Sequence, residues 1–411
     1  MSLLYSLIVS LSWAVLQVIA LFHAKIALFV KGRQRTAAML EGALTDKDKV
    51  IWIHAASLGE YEQGLPIMKK LRATHPHYKL LLTFFSPSGF EVEKNTDAAD
   101  VVAYLPMDTP KKVKRFLDLA RPQLALFIKY EVWPNYFAAL EERSIPLVLI
   151  SAVFKKEQIY FRPYGGFMRK ALKKVTHFFV QHETSKQLLK DLGIQNVTIA
   201  GDTRLDRVSE ILERDNSLDF MEEFTKDRFC FVAGSTWPKD DEVIVPYINQ
   251  NPRNLCFVLA PHTLRPDHIE RLKASIKHPT LLYSERDKQE MRNATVLIVD
   301  TIGLLTKIYS YADVAYVGGA FGTGLHNTLE AAVFGVPIII GPQYDGFIEA
   351  EHLVEQGGIL SIDGPSGFSR AMDGLMDDRE KSKTMGAWNT QYILTNKGAT
   401  VQIMAYLRTL L

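Results

Sequence analysis

Val314-Ala315-Tyr316-Val317-Gly318-Gly319-Ala320-Phe321-Gly322-Thr323-Gly324-Leu325-His326-Asn327-Thr328-Leu329-Glu330 is the stretch that decides how this chain is read. An apolar run reads as a buried strand. A glycine-rich turn follows, and a helix is expected to start near Asn327. Small residues let backbone and ligand approach closely. Such a turn exposes N–H groups, and a helix N-terminus favours an anion. Gly318, Gly319, Gly324 and Asn327 are therefore candidate phosphate-binding positions, and Glu330 is placed to accept ribose hydroxyl hydrogens. The spacing is neither a Walker A pattern nor G-x-G-x-x-G, so an ATPase or a dehydrogenase fits poorly.

Outward from that stretch, the same grammar repeats. The first half offers strands at 50–55, 79–85, 101–106, 124–130, 146–152, 177–182 and 197–201; the second at 229–235, 255–261, 295–300, 314–319, 337–342 and 358–362. Their apolar residues are consecutive rather than alternating, as in strands buried on both faces. Helical segments such as 60–73, 109–119, 266–277 and 347–356 lie between them. The fold class expected is α/β, with two Rossmann-like domains whose parallel sheets face a cleft. The acid-rich stretch near 203–222 is the best boundary. The expected domains are an anchor and basic flank at 1–35, a first Rossmann-like domain at 36–205, a linker at 206–222 and a second at 223–411. The last helix belongs to the second domain or crosses back to the first.

Open parallel sheets bind ligands beyond the carboxyl ends of their strands, and polar residues gather there. The first strand ends in His54-Ala55-Ala56-Ser57-Leu58-Gly59-Glu60. Glu60 either accepts a proton from an attacking hydroxyl or only complements the helix dipole. The second strand ends in Ser86-Pro87-Ser88-Gly89, a turn and N-cap. The fourth runs into Lys129-Tyr130-Glu131-Val132-Trp133-Pro134-Asn135, where Glu131 touches substrate or anchors structure. In the second half, Gly234-Ser235-Thr236 closes a strand and Asp240-Asp241-Glu242 opens a helix. Pro261-His262-Thr263 ends the next, with Arg265 close behind; His262 contacts a base or sugar, or caps the strand.

The 411 residues are 47% hydrophobic and 23% charged, with net charge +2. That excludes a collagen, a disordered chain and a multi-span transporter, and gives no global reason for nucleic-acid binding. Cys230 and Cys256 sit in apolar runs and read as buried thiols. The only Asp-x-Asp, Asp46-Lys47-Asp48, reads as a solvated loop, and no His/Cys spacing suits zinc; no metal is expected. Net charge conceals an asymmetry. Residues 1–200 carry 27 Lys/Arg against 17 Asp/Glu, and residues 201–411 carry 21 against 29. Residues 155–174, which include Arg162, hold seven Lys/Arg and one acid among aromatics, and Lys111, Lys112, Lys114 and Arg115 form a second cluster. Both suit an anionic membrane or lipid phosphates, or are solvated faces.

Residues 3–22 contain no charge. Twenty such residues at ~1.5 Å rise reach about 30 Å, a bilayer core. A retained anchor is expected rather than a removed signal peptide. Lys25, Lys31, Arg33 and Arg35 follow it, which puts the rest of the chain in the cytoplasm. A single span and a shallow monotopic insertion remain alternatives.

Taken together, the anchor, HAASLGE, SPSG, YEVWPN, GST, the PH pair, GGAFGTGLHNTLEAAVFGVP and GPQYDGF resemble the 3-deoxy-D-manno-octulosonic acid (Kdo) transferases of lipopolysaccharide synthesis, across nearly the whole chain. The resemblance implies the GT-B glycosyltransferase fold, a CMP-Kdo donor, no cofactor, and a phosphorylated glycolipid, lipid IVA, as acceptor at the cytoplasmic face of the inner membrane. By position it implies Glu60 as general base and Glu131 as the retained acid of an E-T-E-L-W-P-N motif. Donor contacts fall on Ser235, Thr236, Pro261, His262, Gly318, Gly319, Gly324, Asn327 and Glu330. Acceptor contacts fall on Ser57, Gly59, Ser86, Ser88, Gly89, Lys129 and Arg162. The chain departs from the family at Lys129, where the motif has Glu. It departs again at Pro261-His262, which lacks the Arg of P-R-H, and at Val153, where an Arg is usual. Alternatives are a GT-B enzyme with a UDP-type donor and an inactive anchored scaffold.

Overall fold

The computed structural model describes residues 2–250, 254–288 and 290–411. The chain forms two compact units, Met1–Asp206 with Lys397–Leu411, and Arg207–Asn396.

In the first unit, strands β1 (Lys49–Ala55), β2 (Tyr78–Phe84), β3 (Val101–Tyr104), β4 (Pro122–Ile128), β5 (Leu147–Ala152), β6 (His177–Val180) and β7 (Val197–Ile199) form one sheet in the order β3-β2-β1-β4-β5-β6-β7. Every pairing is parallel. Successive side chains point to opposite faces, and both faces are covered. Trp52, Leu81, Ala103, Phe127 and Leu149 pack on one side; Ile51, Ile53, Leu80, Leu82 and Ile150 pack on the other. Two buried faces are why the strands read as unbroken apolar runs.

The second unit repeats the design with β8 (Phe229–Thr236), β9 (Leu255–Pro261), β10 (Thr280–Leu282), β11 (Val296–Ile298), β12 (Val314–Val317), β13 (Ile338–Ile340) and β14 (Ile359–Ser361). The order is β10-β11-β9-β8-β12-β13-β14, again parallel throughout. Edge strand β10 was not expected; three residues are too short a run to stand out from a loop. Cys230 and Cys256 are buried, free, and opposite each other in register.

Residues 206–222, expected as a linker, begin where the two units divide, and 210–218 carry no helix or strand. Helix Thr203–Ser209 runs into them and helix Asp219–Thr225 closes them, with Met221 and Phe224 fully buried in the second unit. Two apolar residues three apart anchor an otherwise acidic segment. Helix Ala399–Leu407 returns to the first unit, where Ile403, Met404 and Leu407 join the core. The Asp206 carboxylate accepts the Gly398 and Thr400 N–H groups at its start, satisfying donors that a helix leaves open.

Helix Ser2–Ile19 has a mean hydropathy of 1.9 and no buried residue, and it is the one helix among the described residues long and apolar enough to cross a membrane.

Candidate active site

In each sheet the strand order reverses beside the unit's first strand, between β1 and β4 and between β8 and β12. Crevices at such points are where doubly wound sheets take ligands. The polar motifs sit at these four strand ends.

In the first unit β1 turns through Ala56 and Ser57 into helix Leu58–Thr74. Glu60 is in its first turn and only 7% exposed. Its Oε2 accepts the Ala56 N–H at 2.5 Å, so the carboxylate folds back over the strand end. Burial, and then the Glu131 charge, push Glu60 up to about 7, against the pull of that N–H and of Lys129. A carboxylate that titrates near neutrality is suited to taking and returning protons. Ser57 is the N-cap residue, with no capping bond from its side chain. Gly59 has open space where a side chain would be.

Glu131 follows β4. Its Oε2 stands 3.8 Å from Nε2 of His54, which is fully buried in β1. His54 Nδ1 lies 3.1 Å from the Thr83 carbonyl and 2.9 Å from Thr83 Oγ1. His54 Nε2 and the Trp133 indole nitrogen are buried without a hydrogen-bond partner. Lys129 has φ 57, in the left-handed region. Ser151 (φ 50, in a register irregularity of β5) and Ser235 (φ 53, in one of β8) share that conformation. Non-glycine residues held there cost about 1–3 kcal/mol each and concentrate at functional sites.

The Ser86 N–H bonds the Ala56 carbonyl at 2.8 Å, which joins the ends of β1 and β2. Ser86 caps helix Pro87–Glu93, and its hydroxyl lies 2.7 Å from that of Ser88. A Cβ on Gly89 would come within 2.6 Å of the Phe84 ring and 3.1 Å of the Leu58 nitrogen, so glycine is required by the approach of two helix starts. Segment 155–174 reaches this region through the Tyr160 hydroxyl, which donates to the Tyr130 carbonyl at 3.3 Å. Arg162 is not brought to the carboxylates; its Nε donates to the Glu157 carbonyl. Val153 is buried.

In the second unit the ends of β8 and β12 are knit by Asp240, a residue to which the sequence assigned only a helix start. It is fully buried. Its Oδ2 accepts the N–H groups of Trp237 (2.8 Å) and Gly319 (3.0 Å), and its Oδ1 accepts the Tyr316 hydroxyl (2.6 Å). Asp in a first helical turn after a strand was the available signal. A Cβ on Gly318 would lie 2.4 Å from the Ser235 carbonyl, and one on Gly319 (φ 98) 2.1 Å from that of Gly324. Glycine is obligatory at both.

The glycine turn differs from expectation in one respect. The N–H groups of Gly322, Thr323 and Gly324 bond the Gly319 carbonyl, and that of His326 bonds Gly318. The turn closes on itself and uses donors expected to face a ligand. The following helix is one turn long, Leu329–Ala332, which leaves little dipole. Asn327 turns its carbonyl oxygen to the Leu329 N–H and its amide to Glu330. Glu330 also accepts the Thr306 hydroxyl at 2.8 Å and lines a cavity of about 190 Å³ with Arg207, Arg214 and Lys307.

Thr236 is fully buried, and its carbonyl accepts the His262 N–H beside Pro261. The His262 ring stacks against both Trp237 (4.8 Å) and His326 (4.3 Å). Trp237 Nε1 donates to His326 Nε2 at 2.9 Å. Burial and the His262 ring push His326 down to about 4, and burial lowers His262, so both rings are neutral at pH 7. Arg265 is held at the surface by Asp267. Asp46 pairs with Arg121 and Asp48 with Lys79, so the Asp-x-Asp segment is a structural loop.

Two doubly wound parallel sheets, each with its polar residues at the switch point, define the GT-B fold. Solved structures with this fold include a UDP-GlcNAc 2-epimerase from Neisseria meningitidis (TM-score 0.62, 15% identity, 88% of this chain and 100% of that one) and MurG from Acinetobacter baumannii (0.57, 13%, 88% and 99%). In sequence the chain is similar to Kdo transferases. Residues 30–207 match the family described as 3-deoxy-D-manno-octulosonic-acid transferase (kdotransferase). The 3-deoxy-D-manno-octulosonic acid transferase of Haemophilus influenzae is 28% identical over 373 residues, 87% of this chain and 86% of that protein. The one of Aquifex aeolicus is 29% identical over 314 residues, 75% of this chain and 80% of that protein.

Proposed function

We infer that this Kdo transferase moves Kdo from CMP-Kdo to a phosphorylated lipid A precursor, lipid IVA, at the cytoplasmic face of the inner membrane, with Glu60 as general base. The observation that carries the reading is the buried Glu60 carboxylate, set near neutral pH by its burial and by Glu131. A base with that pKa is largely ionised in the cytoplasm and strong enough to accept an alcohol proton as the new bond forms.

The reaction is a single displacement with inversion. A glucosamine hydroxyl oxygen attacks the anomeric carbon of Kdo while its proton passes to Glu60. The bond from that carbon to the phosphate oxygen breaks, and its electron pair leaves with CMP. Arg207, Arg214 and Lys307 around Glu330 supply positive charge for the departing phosphate, and Glu330 takes the ribose hydroxyls. These groups make a metal unnecessary in this reading. Apolar helix Ser2–Ile19 with its basic flank supports attachment to the inner membrane.

The test is incubation of the protein with lipid IVA and freshly prepared CMP-Kdo, followed by mass measurement of the lipid. A gain of one or more Kdo masses is expected, absent with Glu60→Gln. No gain with wild-type protein that binds CMP overturns the enzyme reading. In thermal shift CMP stabilises the protein and UDP does not; the reverse overturns the donor.

A further inference from the structure

The apolar N-terminal helix does not stand away from the first unit. Tyr5, Ser6, Val9, Trp13 and Leu16 form a half-buried stripe at helical spacing. The Tyr5 hydroxyl donates to Asp108 at 2.9 Å, the Asn135 amide donates to the Ser6 hydroxyl at 3.3 Å, and the Trp13 ring lies 6.5 Å from that of Phe29. Leu4, Leu7, Leu11, Val15 and Val18 are exposed on the opposite face. Ties at both ends hold the helix lengthwise against the unit. A perpendicular crossing of the bilayer would drag a charged α/β domain in with it.

Beneath this helix is a cavity of about 220 Å³, lined by Trp13, Gln17, Arg33, Lys112, Arg115 and Phe116 among others. Arg33 is 6% exposed, and its Nε is buried with no hydrogen-bond partner. Its other nitrogens donate only to the carbonyls of Phe29 and Phe85. Its guanidinium lies 3.5 Å from the centre of the Phe29 ring. The Lys112 ammonium is 3.9 Å from the centre of the Trp13 ring. Among the described residues no carboxylate lies within ion-pair distance of Arg33 or Lys112. Arg115 reaches only the exposed Glu41. Buried charges are normally paired; here two cations share one cavity with no anion. Burial, and then the Arg33 charge, push Lys112 down to about 8, the signature of a missing counter-charge.

We propose that helix Ser2–Ile19 lies in the plane of the membrane surface and that the cavity beneath it receives the phosphate of an anionic phospholipid, bound by Arg33 and Lys112. The proposal rests on the membrane attachment inferred above, not on the transfer reaction. The outer wall of the cavity is the helix whose far side is apolar, which sets the cavity at headgroup depth. It is not the acceptor site. From Arg33 the path to the carboxylates runs through the Phe85 ring, the Trp133 ring 5.0 Å beyond it, and then His54.

The test is flotation of the full chain with vesicles of phosphatidylcholine, alone or mixed with phosphatidylglycerol. Wild-type protein binds both and prefers the mixture. Lys112→Met lowers that preference about fivefold, the contribution of one lysine at an anionic surface, and leaves binding to phosphatidylcholine unchanged. Arg33→Met does the same; Lys112 is half-exposed and keeps the test valid should the buried substitution unfold the protein. Lys114→Met, on an exposed lysine paired with Asp118, changes the preference little. Equal losses from Lys112→Met and Lys114→Met show diffuse surface charge and overturn the site. Displacement of phosphatidylglycerol by lipid IVA makes the cavity an acceptor subsite, and displacement by inorganic phosphate alone makes it a phosphate site; either overturns the proposal. Failure of wild-type protein to bind any vesicle overturns membrane attachment itself.

Discussion

Nε2 of His54 faces Oε2 of Glu131 at 3.8 Å. On the other side of the ring, Nδ1 lies beside the Thr83 carbonyl and hydroxyl, which fixes the orientation of the imidazole. The pair thus ties Glu131 to the sheet interior, while the Glu131 charge in turn raises Glu60. Single replacements, His54→Phe or Glu131→Gln, are each expected to lower kcat about tenfold, and the double variant is expected to lose little more than one of them. A double-mutant cycle on kcat measures this; full additivity would separate the two residues.

Glu60→Gln is expected to lower kcat by about 10²–10⁴-fold with CMP binding retained. In wild-type protein kcat rises with pH through about 7, as Glu60 loses its proton. The stability effect has the opposite sign. A carboxyl raised in the folded state contributes stability below its unfolded pKa, about 4.3, and loses that contribution as pH climbs to about 7. At pH 8 Glu60→Gln is therefore expected to stabilise the protein, by roughly 1–3 kcal/mol, as read by denaturant unfolding.

Lys129 is where this chain departs from the acidic motif of the Kdo transferases it resembles, and its charge holds Glu60 down. Lys129→Glu replaces that attraction with repulsion. The acid limb of the kcat–pH profile is expected to move to higher pH by about one unit, a change of about 1.4 kcal/mol. An unmoved limb would mean that Lys129 does not govern the base.

The second unit offers a contrast between two glycines. Gly318→Ala pushes a methyl against the Ser235 carbonyl and the Thr236 backbone, which cannot swing aside. Gly324→Ala meets nothing within 4 Å and is strained only by its φ of 100. The first is expected to lower stability by about 3 kcal/mol and to weaken CMP binding. The second is expected to lower it by about 1–2 kcal/mol. Thermal unfolding with and without CMP separates them.

Transfer activity is expected to survive exhaustive chelation with EDTA and not to rise when magnesium or manganese is restored. A loss reversed by one of these metals would reject the charge balance proposed for the departing CMP.

Much of the fold was legible because burial on two faces writes itself as consecutive apolar residues. Thirteen of the fourteen strands follow from that pattern; β10 does not, since an edge strand of three residues carries too little signal. The motifs were legible for a similar local reason. Ala56-Ser57, Lys129-Tyr130-Glu131, Gly234-Ser235-Thr236 and Gly318-Gly319 interrupt apolar runs, and a turn beyond a strand is where a parallel sheet can hold polar groups. A short apolar pair that outweighs its surroundings carries equally little signal, as Met221 and Phe224 do in helix Asp219–Thr225.

The sequence by itself determined two α/β halves, their parallel strands, the polar strand ends and the apolar first helix, because each is written in neighbours along the chain. Tertiary structure alone decided that His54 meets Glu131, that Asp240 clamps Gly319 and Tyr316, and that Asp206 receives the start of the last helix. It also decided that Arg33 and Lys112 share a cavity under Trp13. These pairs are separated by some 75 to nearly 200 residues. No local pattern encodes them, and burial and unpaired charge give them meaning only once the chain has folded.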